Sequence, residues 1–182
     1  MRLNINPSIT ILILNWNNWR YTTKCLSSIF NLKCNITSIV ILDNGSTNDS
    51  IKKISAFLKS NKFQMSASKD NVATFSQVSN PIVYLIKSKI NLGFAGGNNL
   101  GLQFIIDNLN CDYIFLLNND TTIEKGFLNE LVLIAETDTM IAAIGGDIRN
   151  MSKPNYPQIK FYGKLEQVTD VKTLSGAAIL IK

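Results

Sequence analysis

The sequence predicts an α/β fold, with a mostly parallel sheet and helices on both faces. Three observations carry that prediction. Apolar runs recur at residues 9–14, 36–42, 82–86, 113–117 and 141–144. Runs of that length without polar alternation read as strands buried on both faces. Segments with apolar residues at helical spacing lie between them, and strand alternating with helix implies parallel neighbours joined by crossovers. The strand ends also share one chemistry, rich in Asn, Asp and Gly.

Each element has its own signal. Residues 18–30 carry Thr22, Cys25, Leu26 and Ile29 at i, i+3, i+4 and i+7, one face of a helix. Ser46 is predicted to start the second helix, because Ser46 and Asp49 form a Ser-x-x-Asp capping box. Ile51, Ile54 and Leu58 supply its apolar face. Residues 61–80 are polar and are read as an exposed insertion. A third helix is expected after Gly93 to Gly97, with Leu102, Ile105, Ile106 and Leu109 inward. A fourth spans 124–136, with Leu128, Leu131, Val132 and Ala135 on one face. After Gly145 the chain turns polar and irregular through 147–172, with Pro154 and Pro157. It becomes apolar again at Ile179-Leu180-Ile181. An ending inside or just after a strand reads as a C-terminal truncation or a domain boundary.

Composition sets the outer limits. The chain has 182 residues and is 46% hydrophobic, which suits one domain, residues 1–182, with a sizeable core. The net charge is +5, from 18 basic and 13 acidic residues. The basic residues are scattered, with no run typical of a nucleic-acid arm, so no nucleic-acid partner is expected. They form either a solvated surface or one that attracts anionic ligands or an anionic membrane. There is no His, which excludes Ser-His-Asp, Cys-His and His-ligated metal chemistry. Cys25, Cys34 and Cys111 make no CxxC pair. Cys25 and Cys111 read as buried thiols of a reducing compartment. The polar N-terminus is no signal peptide and no apolar run reaches 18 residues, so a cytoplasmic location is expected.

Function is read at the strand ends, where open α/β sheets bind ligands. Strand one ends in Asn15-Trp16-Asn17-Asn18 and strand two in Asp43-Asn44-Gly45-Ser46. The loop after strand three is Asn91-Leu92-Gly93-Phe94-Ala95-Gly96-Gly97-Asn98-Asn99, and strand four ends in Asn118-Asn119-Asp120-Thr121. Each cluster by itself can be a turn. Alternatively, Asp43 accepts a nucleobase N–H and Gly45 allows close backbone approach. The Gly93 to Gly97 loop would then face a ligand at a helix N-terminus, and Asp120 would bind a metal and through it a diphosphate. The glycines fall as Gly-x-x-Gly-Gly, which fits neither GxGxxG nor GxxxxGK[ST].

These four ordered motifs, with Ser175-Gly176-Ala177-Ala178 further on, resemble the N-terminal, nucleotide-sugar-binding half of a family 2 glycosyltransferase of the GT-A type. The rhamnosyltransferase-like branch is the most similar. The resemblance covers nearly the whole chain apart from residues 61–80. It implies a GT-A, Rossmann-like domain, C-terminally truncated. It also implies transfer of a sugar from a UDP- or dTDP-linked donor to an acceptor hydroxyl, with inversion. Asn15, Asp43, Gly93, Gly97, Asn98 and Asn118 are the donor-binding residues it suggests. Asp120 is the single carboxylate left for Mg2+ or Mn2+, because an amide stands where the family's Asp-x-Asp has its first acid. One carboxylate plus substrate phosphates can hold Mg2+.

A general base, Asp or Glu, must take the acceptor proton. The family places it beyond the segment resembling Ser175 to Ile181, and Asp147, Glu166 and Asp170 sit in no matching motif. The catalytic residue is therefore unassigned. The acceptor implied is a glycan or lipid-linked glycan, in polysaccharide or glycolipid assembly at the inner face of a membrane, with peripheral membrane association. Two alternatives belong to other classes. One is a catalytically incomplete module that only binds the donor. The other is a nucleotidyltransferase, which would carry a Gly-rich basic loop after strand one, where this chain has Asn15-Trp16-Asn17-Asn18-Trp19. Trp16 and Trp19 can stack on a base or sugar, or pack on the first helix.

Overall fold

A computed structural model describes residues 6–78, 81–146, 148–150, 153–157 and 174–182. The elements run β1 (Ile9–Asn15), α1 (Trp19–Phe30), β2 (Ile36–Asp43), α2 (Ser50–Ser60), β3 (Gln64–Lys69), β4 (Val72–Ser76) and β5 (Ile82–Lys87). They continue with α3 (Gly93–Asn108), β6 (Tyr113–Asn118), α4 (Phe127–Ala135), β7 (Ala143–Gly145), β8 (Arg149–Asn150), β9 (Lys153–Pro157) and β10 (Ala178–Ile181). One eight-stranded sheet has the order β3-β4-β5-β2-β1-β6-β10-β7, and β8 with β9 forms a separate ribbon. The four central strands, β5, β2, β1 and β6, are parallel. Both flanks are antiparallel, β3 and β4 on one side and β10 and β7 on the other.

The period-2 alternation of a strand sorts its side chains between two helical layers. On β1, Ile9, Ile11 and Ile13 enter a core shared with α1, α2 and α4. Leu12 faces the opposite way, against Ile105 of α3. β2 divides likewise, with Ile39 and Ile41 on one face and Val40 and Leu42 on the other. Ile11, Leu12 and Ile13 are wholly buried, each contributing roughly 1.5–3 kcal/mol by leaving water. This two-sided burial is why the central strands lack polar alternation. α1 and α2 lie side by side: Phe30 at the end of α1 stacks on Phe57 at 6.3 Å, and Lys53 Nζ lies 5.7 Å from the Trp19 ring at its start.

Five expectations change. The second helix starts at Ser50, four residues after Ser46. The Ser46 hydroxyl instead accepts the Asn17 N–H at 2.8 Å and the Asn15 amide at 3.3 Å, so a ladder of loop contacts outcompetes the capping box. Residues 61–80 are not a simple insertion. β3 and β4 form a hairpin on β5, and Phe63 and Phe75 are buried. Phe63, just before β3, and Phe75 of β4 supply the hairpin's buried side chains, while every β3 residue is exposed. The run at 141–144 becomes β7, which reaches the sheet only through the antiparallel β10. Ile106 points outward at 68% exposure while Gly97, Gly101 and Ile105 face the sheet. A Cβ on Gly101 would come within 2.5 Å of Leu12, so the small residues define the packed side of α3. Cys25 is buried, whereas Cys111 is only half-buried.

Candidate functional site

The register of the parallel strands brings their ends to one edge. Asn15 pairs with Asp43, Asp43 with Lys87, and Leu14 with Asn118. The clusters scattered over the sequence therefore meet there, as expected for strand ends in an open α/β sheet. An open cleft of about 390 Å³ lies along this edge. Asn118, Asn119 and Asp120 form one wall, and Asn44, Gly93 and Phe94 form another. Trp16 and Asn18 also line it. Trp16 is 54% exposed. Trp19 instead packs against the core, with the Arg20 guanidinium 4.6 Å above its ring. Trp19 thus takes the packing role, while Trp16 stands exposed at the cleft.

Beneath the cleft runs a buried polar chain. Asn15 Nδ2 donates to Asp43 Oδ2 at 2.7 Å, and the Ser46 N–H donates to Asp43 Oδ1 at 2.9 Å. The Thr22 hydroxyl donates to Asn15 Oδ1 at 2.7 Å and accepts from Asn119 Nδ2 at 3.0 Å. The donors run in one direction. Asn15 must give its NH2 to the carboxylate, so its carbonyl faces Thr22, whose remaining lone pair takes the Asn119 NH2. That leaves the Asn119 amide oxygen as the atom it can offer to the cleft. Asn15, Thr22 and Asp43 are fully buried. The chain links the loop after β2 to the loop after β6.

A second latch holds the N-terminus of α3. Asn44, 2% exposed, donates through Nδ2 to Asn91 Oδ1 and to the Gly93 carbonyl, both at 3.0 Å. Its Oδ1 accepts the Leu92 N–H at 3.0 Å. Gly93 has φ +73° and Gly45 φ +71°, where glycine alone carries no Cβ penalty. The close approach at Gly45 is to protein: a Cβ there would lie 2.4 Å from the Ile90 carbonyl carbon.

The structure brings Asn118, Asp120 and Gly93 together at the cleft. Asn15 and Asp43 lie under it, engaged with each other, and do not line it. Gly97 packs against Leu14 and Asn44, where a Cβ would sit 2.6 Å from Leu14 Cδ1. Asn98 turns back along α3 to donate to the Phe94 carbonyl at 3.0 Å. Trp16, read above as able to stack on a base or sugar, lines the cleft, and so do Asn44, Phe94 and Asn119, which were not singled out. All four stand inside the strand-end clusters; what sequence cannot show is which member of a cluster points outward. Below Asn118, Cys25 Sγ lies 3.9 Å from its carbonyl. Burial, and then the nearby Asp120 charge, push the Cys25 thiol up to about 12, so this thiol is a packed side chain and not a nucleophile.

Among the described residues no three His, Cys, Asp or Glu cluster to hold a metal ion. Asp120 is exposed at the cleft, flanked by the neutral amides of Asn118 and Asn119. This donor set is all oxygen with one charge. It fits a hard divalent cation that shares its shell with a ligand's phosphates. Asp147, Glu166 and Asp170 lie outside the described residues.

The family model for glycosyl transferase family 2 matches residues 10–178. The chain belongs to that family. As a family 2 glycosyltransferase domain, it is also similar to the low-salt glycan biosynthesis hexosyltransferase Agl10 of Haloferax volcanii. Identity there is 36% over 55 residues, 30% of this chain and 18% of that protein. Among solved structures it resembles S. aureus TarS 1-349, with a TM-score of 0.65 and 16% identity, over 96% of this chain and 47% of that one. The TarS 1-349 complex with UDP-GlcNAc matches with the same TM-score, over 94% and 44%. The mannosyltransferase PcManGT of Pyrobaculum calidifontis, solved with GDP-Man and Mn2+, matches with a TM-score of 0.60 and 13% identity, over 79% and 36%. These likenesses establish the GT-A fold. The chain spans less than half the length of each of these proteins.

Proposed function

We propose that this domain binds a nucleoside diphosphate sugar in the cleft at the strand ends. The protein it belongs to would transfer the sugar, with inversion, to an acceptor hydroxyl. The observation that carries the reading is the pairing across one cleft of Asp120, the carboxylate among its lining residues, with the N-terminus of α3 at Gly93. A diphosphate paired with a divalent cation has the charges that the two walls call for. Helix N-termini attract anions through aligned N–H groups and the macrodipole, and Asp120 can hold a divalent cation that bridges to phosphate oxygens.

Roles follow from position. Asp120, with the amide oxygens of Asn118 or Asn119, would hold Mg2+ or Mn2+. When bound, the metal supplies charge neutralisation at the departing nucleoside diphosphate. Trp16, exposed at the cleft, offers a flat apolar surface for a base or sugar ring. Asn44 keeps the start of α3 at the cleft and, with the buried Asn15–Asp43 pair, fixes the floor. The general base is unassigned. UDP and dTDP donors are both proposed. A rhamnosyl group rests on sequence resemblance alone. So do a glycan or lipid-linked glycan acceptor, a part in polysaccharide or glycolipid assembly, and work at the inner face of a membrane. No described helix is long and apolar enough to cross one.

Thermal-shift titration of the chain with UDP, dTDP and GDP, each with and without Mn2+, tests the proposal. Stabilisation by at least one nucleotide, enhanced by Mn2+, is expected. A cooperative melt that none of the three moves would overturn it.

A further inference from the structure

The chain divides its charge. Between residues 6 and 89, ten basic residues stand against three acidic ones; between 90 and 146, seven acidic residues stand against Lys125 alone. The topology turns this into a division in space. The first segment builds the β3-β4-β5-β2-β1 side of the sheet, and the second builds β6 and β7 beyond it. The helices sharpen the contrast. Neither α1 nor α2 contains an acidic residue. Arg20 and Lys24 of α1 and Lys52, Lys53 and Lys59 of α2 are all exposed, and the two helices lie side by side on one face. Asp49, just before α2, is the nearest acid in sequence. α4, on the same face of the sheet, carries Glu130 and is followed by Glu136 and Asp138. An ordinary solvated surface intersperses both signs.

From this we infer that the α1–α2 face is a docking surface for an anionic lipid membrane. The charges stand exposed on two adjacent helices, with Arg20 and Lys53 both near the Trp19 ring, and none of them lines the cleft. Nucleic-acid strands are usually tracked by grooves with stacking aromatics. A planar array of headgroups can meet several charges of such a broad face together, and each Lys or Arg near an anionic leaflet strengthens binding severalfold. Lysine stems can lie on the surface while their ammonium groups reach phosphate. Tyr21, 51% exposed beside Arg20, is a residue type favoured at membrane interfaces. α4 shares this face, so its acidic residues would be repelled by the same leaflet and would tilt the domain towards contact through α1 and α2. This rests on the function proposed above only in that a lipid-linked acceptor would be met at such a surface; the binding itself needs no donor.

Vesicle flotation without nucleotide tests it. The probes are phosphatidylcholine vesicles with and without phosphatidylglycerol. The chain should float with the anionic vesicles, stay behind with the neutral ones, and be released as salt shortens the Debye length to roughly 3 Å near 1 M. The double variant Lys52→Glu with Lys59→Glu should lower the partition coefficient at least about tenfold, while Glu130→Lys should leave it unchanged or raise it. Equal binding to neutral vesicles, no binding to anionic ones at low salt, or indifference to the lysine reversal would each overturn the inference. So would tighter retention on duplex DNA than on the anionic vesicles. Asp120→Ala should float like the parent chain, so a failed donor site and a failed membrane face give different results.

Discussion

Asn15 Nδ2 lies 2.7 Å from Asp43 Oδ2, and both residues are fully buried. Removing the amide leaves a buried carboxylate short of a donor, and removing Thr22 Oγ1 leaves the Asn15 carbonyl and the Asn119 amide short of partners. Each loss should lower stability by about 1–3 kcal/mol, read from urea midpoints of Asn15→Ala and Thr22→Val. Thr22→Ser, which keeps the hydroxyl, should restore most of the loss. Thr22→Val should also weaken any Mn2+-dependent nucleotide shift, because Asn119 then keeps only its long 3.5 Å contact to the Asn18 carbonyl to orient it beside Asp120.

Asp120→Asn should abolish the Mn2+ dependence of nucleotide binding and leave the melting temperature without ligand nearly unchanged. The side chain is exposed, and surface substitutions of this kind usually stay within about 0.5 kcal/mol. Isothermal titration with and without Mn2+ reads the first effect and calorimetry the second.

Two glycines with similar backbone angles should respond differently. Gly45→Ala meets both a positive φ and the Ile90 backbone at 2.4 Å, whereas Gly93→Ala meets a positive φ with nothing within 4 Å. The cost at Gly93 should be near the left-handed penalty of about 1–2 kcal/mol. Gly45→Ala should exceed it clearly in denaturant titrations, because backbone cannot swing aside as a flexible side chain can.

Thr10 is wholly buried, and its hydroxyl has no partner among the described residues. Thr10→Val keeps the shape and removes the desolvated group. It should stabilise the domain by about 1 kcal/mol, which thermal denaturation would register as a rise of a few degrees.

Alkaline pH should destabilise the fold. Burial raises the Cys25 thiol from 9.0 to about 12 and Cys34 to about 11. A raised folded-state value means that the unfolded chain loses its proton first. The contribution is intact below pH 9 and is lost as pH climbs from 9 towards 12. Unfolding free energies at pH 8 and 10.5 should differ in the parent chain and differ less in Cys25→Ala. Tyr113, also raised by burial and by its bond to Glu136, adds to the decline at the upper end.

The sequence by itself determined the order of the central strands and helices, the inward faces of α1 and α4, and the four polar clusters at strand ends. Those features are local: apolar runs, helical spacing and turn residues are written within a dozen positions of one another. It also determined the family, since the motifs that carry it are short and ordered. Tertiary structure alone decided which member of each cluster faces the cleft. Asp43 and Asn44 are neighbours, yet one is sealed under Asn15 and Ser46 while the other spans to Asn91 and Gly93. Only packing decided that Gly97 clears room for Leu14 and that β10 slips between β6 and β7. It also decided that residues 64–76 pair as a hairpin on β5. Partners far apart in the chain set each of these, and no periodicity within a segment records what will stand across from it.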